Sequence, residues 1–307
     1  MDLALLVLPV FLTILCGYGL AVSGGLPADQ WTGVEVMSFR LLIPAVLIGA
    51  IAGSDLEVSR FGPLVGLLVL TLVILAALVF AIRLVLPERM MDASSFTTLF
   101  QAATRWNGFI ALALAEQVAG PEGILLVAVI MAVLIPLINI VNIIILSAYG
   151  PGDSSVKTVA MTIVKNPLVQ ACAIGLTLSI SGIQMPEPIA QSLDFIGRAA
   201  LGVGLLAVGA GITFRRLLRA GGLVWIGLIL RPLLAPAIFI MLGQYAGLAP
   251  LHLLIGAMVM AVPAAANGYI IARRMGGNAG LYADIMTWQA IANLLILPGL
   301  LYMLPLT

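Results

Sequence analysis

The chain has 307 residues, of which 62% are hydrophobic and 9% charged, whereas a soluble domain averages about 45–50% apolar and about 25% charged. With a mean hydropathy of +1.20 it reads as a bilayer protein. Its formal net charge of +1 says nothing about nucleic acid, but no basic run long enough to bind it occurs, so none is expected as a partner.

A membrane-spanning helix needs about 20 mostly apolar residues. That measure predicts ten spans, roughly 3–21, 36–53, 63–86, 95–119, 122–147, 166–183, 191–213, 222–246, 251–274 and 280–304. Met1-Asp2-Leu3 lacks the basic start of a cleaved signal peptide, so the first span is expected to stay. Span four is the least hydrophobic: Thr97, Thr98, Gln101, Thr104 and Arg105 precede Asn107, and Glu116 and Gln117 follow it. Span six is short, opened by Asn166-Pro167 and closed by Ser181-Gly182. Cys16 and Cys172 fall in apolar spans and read as packing residues.

The two halves of the chain repeat. Gly17, Ser23 and Gly24 match Gly175, Ser181 and Gly182 at an offset of 158, and Pro27 matches Pro186 at 159. Gly49-Ala50 matches Gly209-Ala210, and Asn107-Gly108 matches Asn267-Gly268, both at 160. Residues 1–150 and 151–307 each hold five spans. An odd number turns the second copy upside down in the membrane. The expected fold is therefore an all-α polytopic membrane protein, with ten transmembrane helices as two inverted five-helix repeats.

Orientation follows from Lys and Arg in the loops. Arg83, Arg89, Lys157, Lys165, Arg215, Arg216, Arg219, Arg273 and Arg274 lie on one side and only Arg60 on the other. That bias puts those loops in the cytoplasm and both termini outside, in a multi-pass protein of the cell (inner) membrane.

Asn-Gly breaks helices, and a broken helix at membrane depth survives only where it lines a protein-walled cavity. Two such breaks in matching halves mark a transporter's binding site. Asn107, Gly108, Asn267 and Gly268 are thus candidate substrate-binding residues, with Pro263 helping to break span nine. For any single Asn, polar packing between helices is the alternative. Asn139 and Asn142 in span five, and Asp284, Gln289 and Asn293 in span ten, each share roughly one helical face. That spacing suits a cavity lining or a helix interface. Glu116 and Asp284 are candidates for ion coupling, although Glu116 also suits an interfacial anchor. Asp194 and Arg198, four apart, should pair with each other. Arg231, followed by Pro232, has no partner visible in the sequence.

Arg105 is the strongest candidate. A charge near mid-bilayer costs at least about 2.5 kcal/mol. The end of a helix offsets about 0.3–1 kcal/mol of that, and up to about 2 when partly buried. The matching position in the second repeat is Ala265, so an Arg at the break is not a shared structural need. A bidentate carboxylate ligand would supply the missing partner. Enzyme chemistry has little support: one His and two distant Cys do not build the usual metal sites, and no cofactor is implied.

Several stretches together resemble the auxin efflux carrier family. They are Leu8-Pro9 through Gly17-Tyr18-Gly19 to Leu26-Pro27, Leu42-Ile43-Pro44-Ala45, Arg105 through Leu112, Gly120-Pro121-Glu122-Gly123, Pro136-Leu137-Ile138-Asn139 and Asn166-Pro167. The long cytoplasmic loop of some plant members is absent, as in a compact prokaryotic member. The resemblance implies broken helices crossing in spans 4 and 9. It implies a scaffold of spans 1, 2, 6 and 7 that forms a homodimer within membrane lipid, and a transport part of spans 3–5 and 8–10. It also implies elevator-type movement of a small organic anion, auxin-like or a dicarboxylate such as malate or malonate. Many members carry a proline shortly after the Asn of span four, and here Ala111 to Leu114 has none. A sodium- or proton-coupled symporter of the bile-acid type is the alternative, and a non-transporting membrane receptor a weaker one.

Overall fold

The computed structural model describes residues 3–52, 58–149, 161, 164–212, 221–265 and 267–304, all helix, turn or irregular chain with no strand among them. Helices α1 (Leu3–Val22), α2 (Ala28–Met37) and α3 (Ile43–Ala52) come first, with a π-helical turn, π1 (Ser38–Leu42), joining the last two. Next are α4 (Val58–Val85), α5 (Ala93–Thr104) and α6 (Gly108–Tyr149), then α7 (Pro167–Ser181) and α8 (Glu187–Ala210). A second π turn, π2 (Ile229–Leu234), joins α9 (Gly222–Leu228) to α10 (Ala235–Tyr245). The chain ends with α11 (Pro250–Ala261), α12 (Asn267–Arg274) and α13 (Ala279–Met303).

Among the described residues, six helical stretches are long and apolar enough to cross a membrane: Asp29–Ala52, Arg60–Val85, Ala93–Tyr149, Glu187–Ala210, Gly222–Tyr245 and Ala279–Met303. Three shorter apolar helices accompany them, Val7–Val22, Pro167–Ser181 and Pro250–Ala261. Expected spans four and five both lie within the stretch Ala93–Tyr149, where Gly120 takes a non-helical conformation between them (φ 53°, ψ −135°). Spans one, six and nine correspond to the shorter helices, α1 itself running Leu3–Val22. The expected loop cations Lys157, Arg215, Arg216 and Arg219 lie outside the described residues.

The chain divides into two compact units. The first holds Met1–Pro63, Gly108–Pro136 and Met161–Gly211. In it α1 and α8 approach backbone to backbone. A Cβ on Gly17 would collide with the Leu206 carbonyl, and one on Gly209 with the Ile14 carbonyl. Such close approach is how membrane helices gain packing where lipid removes the hydrophobic incentive. Gly175 likewise accepts Ile51, whose Cβ would stand 2.9 Å from an added methyl. Gly24 (φ 73°) and Gly182 (φ 65°), a matched pair in the repeat, take left-handed conformations just past α1 and α7, which suits residues without a Cβ. Gly120 (φ 53°, ψ −135°) kinks α6 ahead of Pro121. Asp194 pairs with Arg198 as their spacing predicts, and Arg60 pairs with Glu122.

The second unit holds Leu64–Asn107, Leu137–Ala160 and Ile212–Thr307. Phe80, Phe96 and Phe100 pack tilted or edge-on, with Phe80 5.3 and 5.8 Å from the other two by ring centroids. Before α5, the Arg83 guanidinium donates to the Met91 carbonyl at 2.7 Å. Asp92 then caps the helix: its carboxylate accepts from Ser95 N–H and Ser94 Oγ, both at 2.9 Å. Bonding from Ser95, foremost, holds the Asp92 carboxyl below its ordinary value. An N-cap Asp meets both an orphan N–H and the positive helix end. From Ser95 to Thr104 every residue of α5 is buried.

Candidate functional site

Two interruptions dominate the second unit. Helix α5 stops at Thr104, and Arg105 is extended at φ −75° and ψ 150°. Helix α11 stops at Ala261, with Val262 at φ −54° and ψ 147°. Val262 precedes Pro263, and a residue before proline is pushed out of the α region. No proline assists at Arg105. The two interruptions touch, because Asn107 N–H donates to the Pro263 carbonyl at 2.8 Å.

A helix end leaves four carbonyls without intrahelical partners. At α5 each of the four is satisfied. The Gln101 carbonyl accepts from Arg105 N–H at 2.8 Å and the Ala102 carbonyl from Gln289 Nε2 at 3.3 Å. Arg231 Nη1 serves the Ala103 and Thr104 carbonyls at 3.3 and 3.5 Å. The same guanidinium reaches α11: Nη2 donates to the Val259 carbonyl at 2.7 Å and Nε to the Val262 carbonyl at 3.3 Å. Arg231 is fully buried on π2, one turn of a kind common at functional positions. Its partners were invisible in the sequence because all of them are backbone oxygens.

Gln289 braces the same place. Its Oε1 accepts from Ala264 N–H at 2.9 Å, and its Nε2 also donates to the Gly227 carbonyl at 2.9 Å. Its amide is thus committed to backbone groups and is not free to meet a ligand. Asn142 is similarly used, donating to Thr104 Oγ1 at 3.1 Å and to the Ile138 carbonyl at 2.8 Å.

Arg105 is the opposite case. It is 4% exposed, and its Nε and Nη2 have no hydrogen-bond partner. Those two nitrogens form one flat edge of the guanidinium, the edge a carboxylate matches with two parallel bonds. One helical turn earlier, Gln101 is wholly buried with both amide atoms unpartnered. Positions i and i+4 share a helix face. Sequence reading noted Gln101 only as one polar residue among several. Tyr282 was missed altogether. It is fully buried and donates to the Ala265 carbonyl at 2.7 Å.

Of the other expected residues, Asn293 is buried, donates to the Gln289 carbonyl at 2.7 Å and keeps an unpartnered Oδ1. Pro263 is buried, and Gly268 lies directly beneath the Tyr282 hydroxyl, where a Cβ would collide. Asn107 is buried at 4% exposure. Asn267 opens α12, and its side chain lies outside the described part. Asn139 is half-buried on α6. Asp284 is half-buried and lines, with Ser95, Asn278 and Gly221, a cavity of about 390 Å³ at the N-terminal ends of α5, α9 and α13. Gly108 and Glu116 belong to the first unit. A Cβ on Gly108 would press on Met131 at 3.1 Å, and Glu116 is exposed. No group of three or more metal-binding side chains occurs among the described residues.

No curated protein matches the chain closely enough to count as a relative. The family model described as membrane transport protein matches residues 3–301, nearly the whole chain. The chain belongs to this membrane transport family, the auxin efflux carriers.

Proposed function

We propose that this transport protein carries a small organic anion, with Arg105 as the direct partner of a substrate carboxylate. One observation carries the reading: a buried guanidinium offers its two-nitrogen edge to no protein group. Leaving a buried charged donor unmet costs more than the roughly 1–3 kcal/mol of a neutral one. Gln101, four residues earlier, adds a buried unpartnered amide for a second polar group, which suits an auxin-like acid or a dicarboxylate such as malate or malonate. In the same reading α5 with the start of α6, and α11 with α12, are two broken spans that cross where Asn107 meets Pro263.

Alternating access would then be of the elevator type. The transport part, spans 3–5 and 8–10, moves against a dimeric scaffold of spans 1, 2, 6 and 7 built from two inverted repeats. The matched glycines support the repeat, since Gly17 on α1 lies against α8 and its match Gly175 on α7 lies against α3, and Gly24 and Gly182 end their helices alike. The protein would lie in the cell membrane with both termini outside.

The test is uptake and counterflow in proteoliposomes across a panel of mono- and dicarboxylates, with amines and neutral sugars as controls. Carboxylates should be exchanged, and Arg105→Ala should abolish exchange. Transport of a cation or a sugar in preference to every carboxylate overturns the reading.

A further inference from the structure

We propose that Arg231 is a built-in cation occupying a position that would otherwise take an exchangeable monovalent cation, so that this carrier works without sodium. The consequence for coupling rests on the anion-carrier reading, whereas the identity of the site does not. Val259 and Val262 from the end of α11, and Ala103 and Thr104 from the end of α5, turn four carbonyl oxygens toward one guanidinium. Both helix ends are negative ends of their dipoles. Backbone carbonyls at half-helix C-termini in a dry interior are the chemistry that coordinates a sodium ion in secondary transporters. Here the guanidinium fills that place at 0% exposure.

Three features separate this from ordinary capping. One side chain serves both ends at once, with Nε and Nη2 on α11 and Nη1 shared between two α5 carbonyls. The cation comes from a third element, π2, which carries Arg231 next to Pro232. Arginine keeps its proton at any working pH, so the position can neither release a cation nor pass a proton. Charge at the helix ends therefore stays constant through a transport cycle. A substrate anion bound on Arg105 then needs no companion ion from solution to neutralise this point.

The test uses the full-length protein purified in detergent, without substrate, melted in sodium, potassium or choline chloride at equal ionic strength. Wild-type Tm should be the same in all three. Arg231→Ala should melt lower and regain several degrees, saturably, with sodium or with a few millimolar guanidinium, and not with choline. A saturable sodium response in the wild type overturns the proposal, and so does a folded Arg231→Ala that ignores every cation. Should Arg231→Ala fail to fold, Arg231→Lys and Arg231→Met decide the matter. The Lys variant keeps the charge and should melt above the Met variant while remaining indifferent to sodium. A Met variant as stable as Lys or wild type overturns the proposal. None of these readings depends on Arg105, so a failed carboxylate screen leaves them intact.

Discussion

Arg105 and Arg231 are both buried cations in one unit, and they solve the same desolvation problem in opposite ways. Arg231 spends its donors on four backbone carbonyls from two helix ends. Arg105 holds Nε and Nη2 unmet at 4% exposure. Gln289 and Gln101 form the same contrast in neutral form, one amide fully used and the other unused. The difference teaches which polar groups build the interruptions and which make no hydrogen bond within the protein. Burial alone does not separate them; the location of the partners does.

The contrast predicts unequal costs. Gln289→Leu removes three hydrogen bonds to the backbone around the interruptions, and at about 1 kcal/mol each the loss should be about 3 kcal/mol. Chemical or thermal melting of the purified variant checks it, and an unchanged Tm would show that Gln289 is not a brace. Gln101→Leu should behave differently. Its amide has no partner to lose, so stability should hold or rise, while carboxylate affinity falls about tenfold for one missing bond to a charged ligand. Destabilisation of Gln101→Leu by as much as Gln289→Leu would erase the distinction.

A smaller effect belongs to Asp92, whose carboxylate is committed to the start of α5. Asp92→Ala should cost about 1 kcal/mol, whereas Asp92→Asn keeps most of the cap. Because the folded carboxyl titrates below its ordinary value, its stabilisation is fully present above an unfolded pKa of about 3.9. It is lost as pH falls through the lower, folded value. Acid melting curves of wild type should therefore contain a component that Asp92→Asn lacks.

Much of the layout was legible before any coordinates. Asn-Gly at 107 and 267 marked the stretches where α5 gives way to α6 and α11 to α12, because glycine and asparagine disfavour continuing a helix. Ser181-Gly182 announced the end of its helix, and the four-residue spacing of Asp194 and Arg198 announced their pair. The role of Arg231 was not legible. Backbone carbonyls have no sequence signature, so a residue that binds only carbonyls looks partnerless in one dimension. Gln101 and Gln289 could not be told apart for a related reason. Their difference lies in which backbone groups tertiary packing brings within 3.5 Å, and the residue type is identical. Gly120-Pro121 was legible as the turn between expected spans four and five, and the helix is broken there, with Gly120 at φ 53° and ψ −135°.

The most direct measurement is carboxylate binding by wild type, Arg105→Lys and Arg105→Ala, followed by isothermal titration with the tightest carboxylate found in the proteoliposome panel. The fork at Nε and Nη2 predicts measurable binding by wild type. For Lys it predicts affinity about tenfold weaker or worse, since the charge stays and the two-nitrogen edge is lost. It predicts no binding by Ala, whose melting temperature should equal or exceed that of wild type. Unchanged carboxylate affinity in a folded Arg105→Ala protein would contradict the assignment.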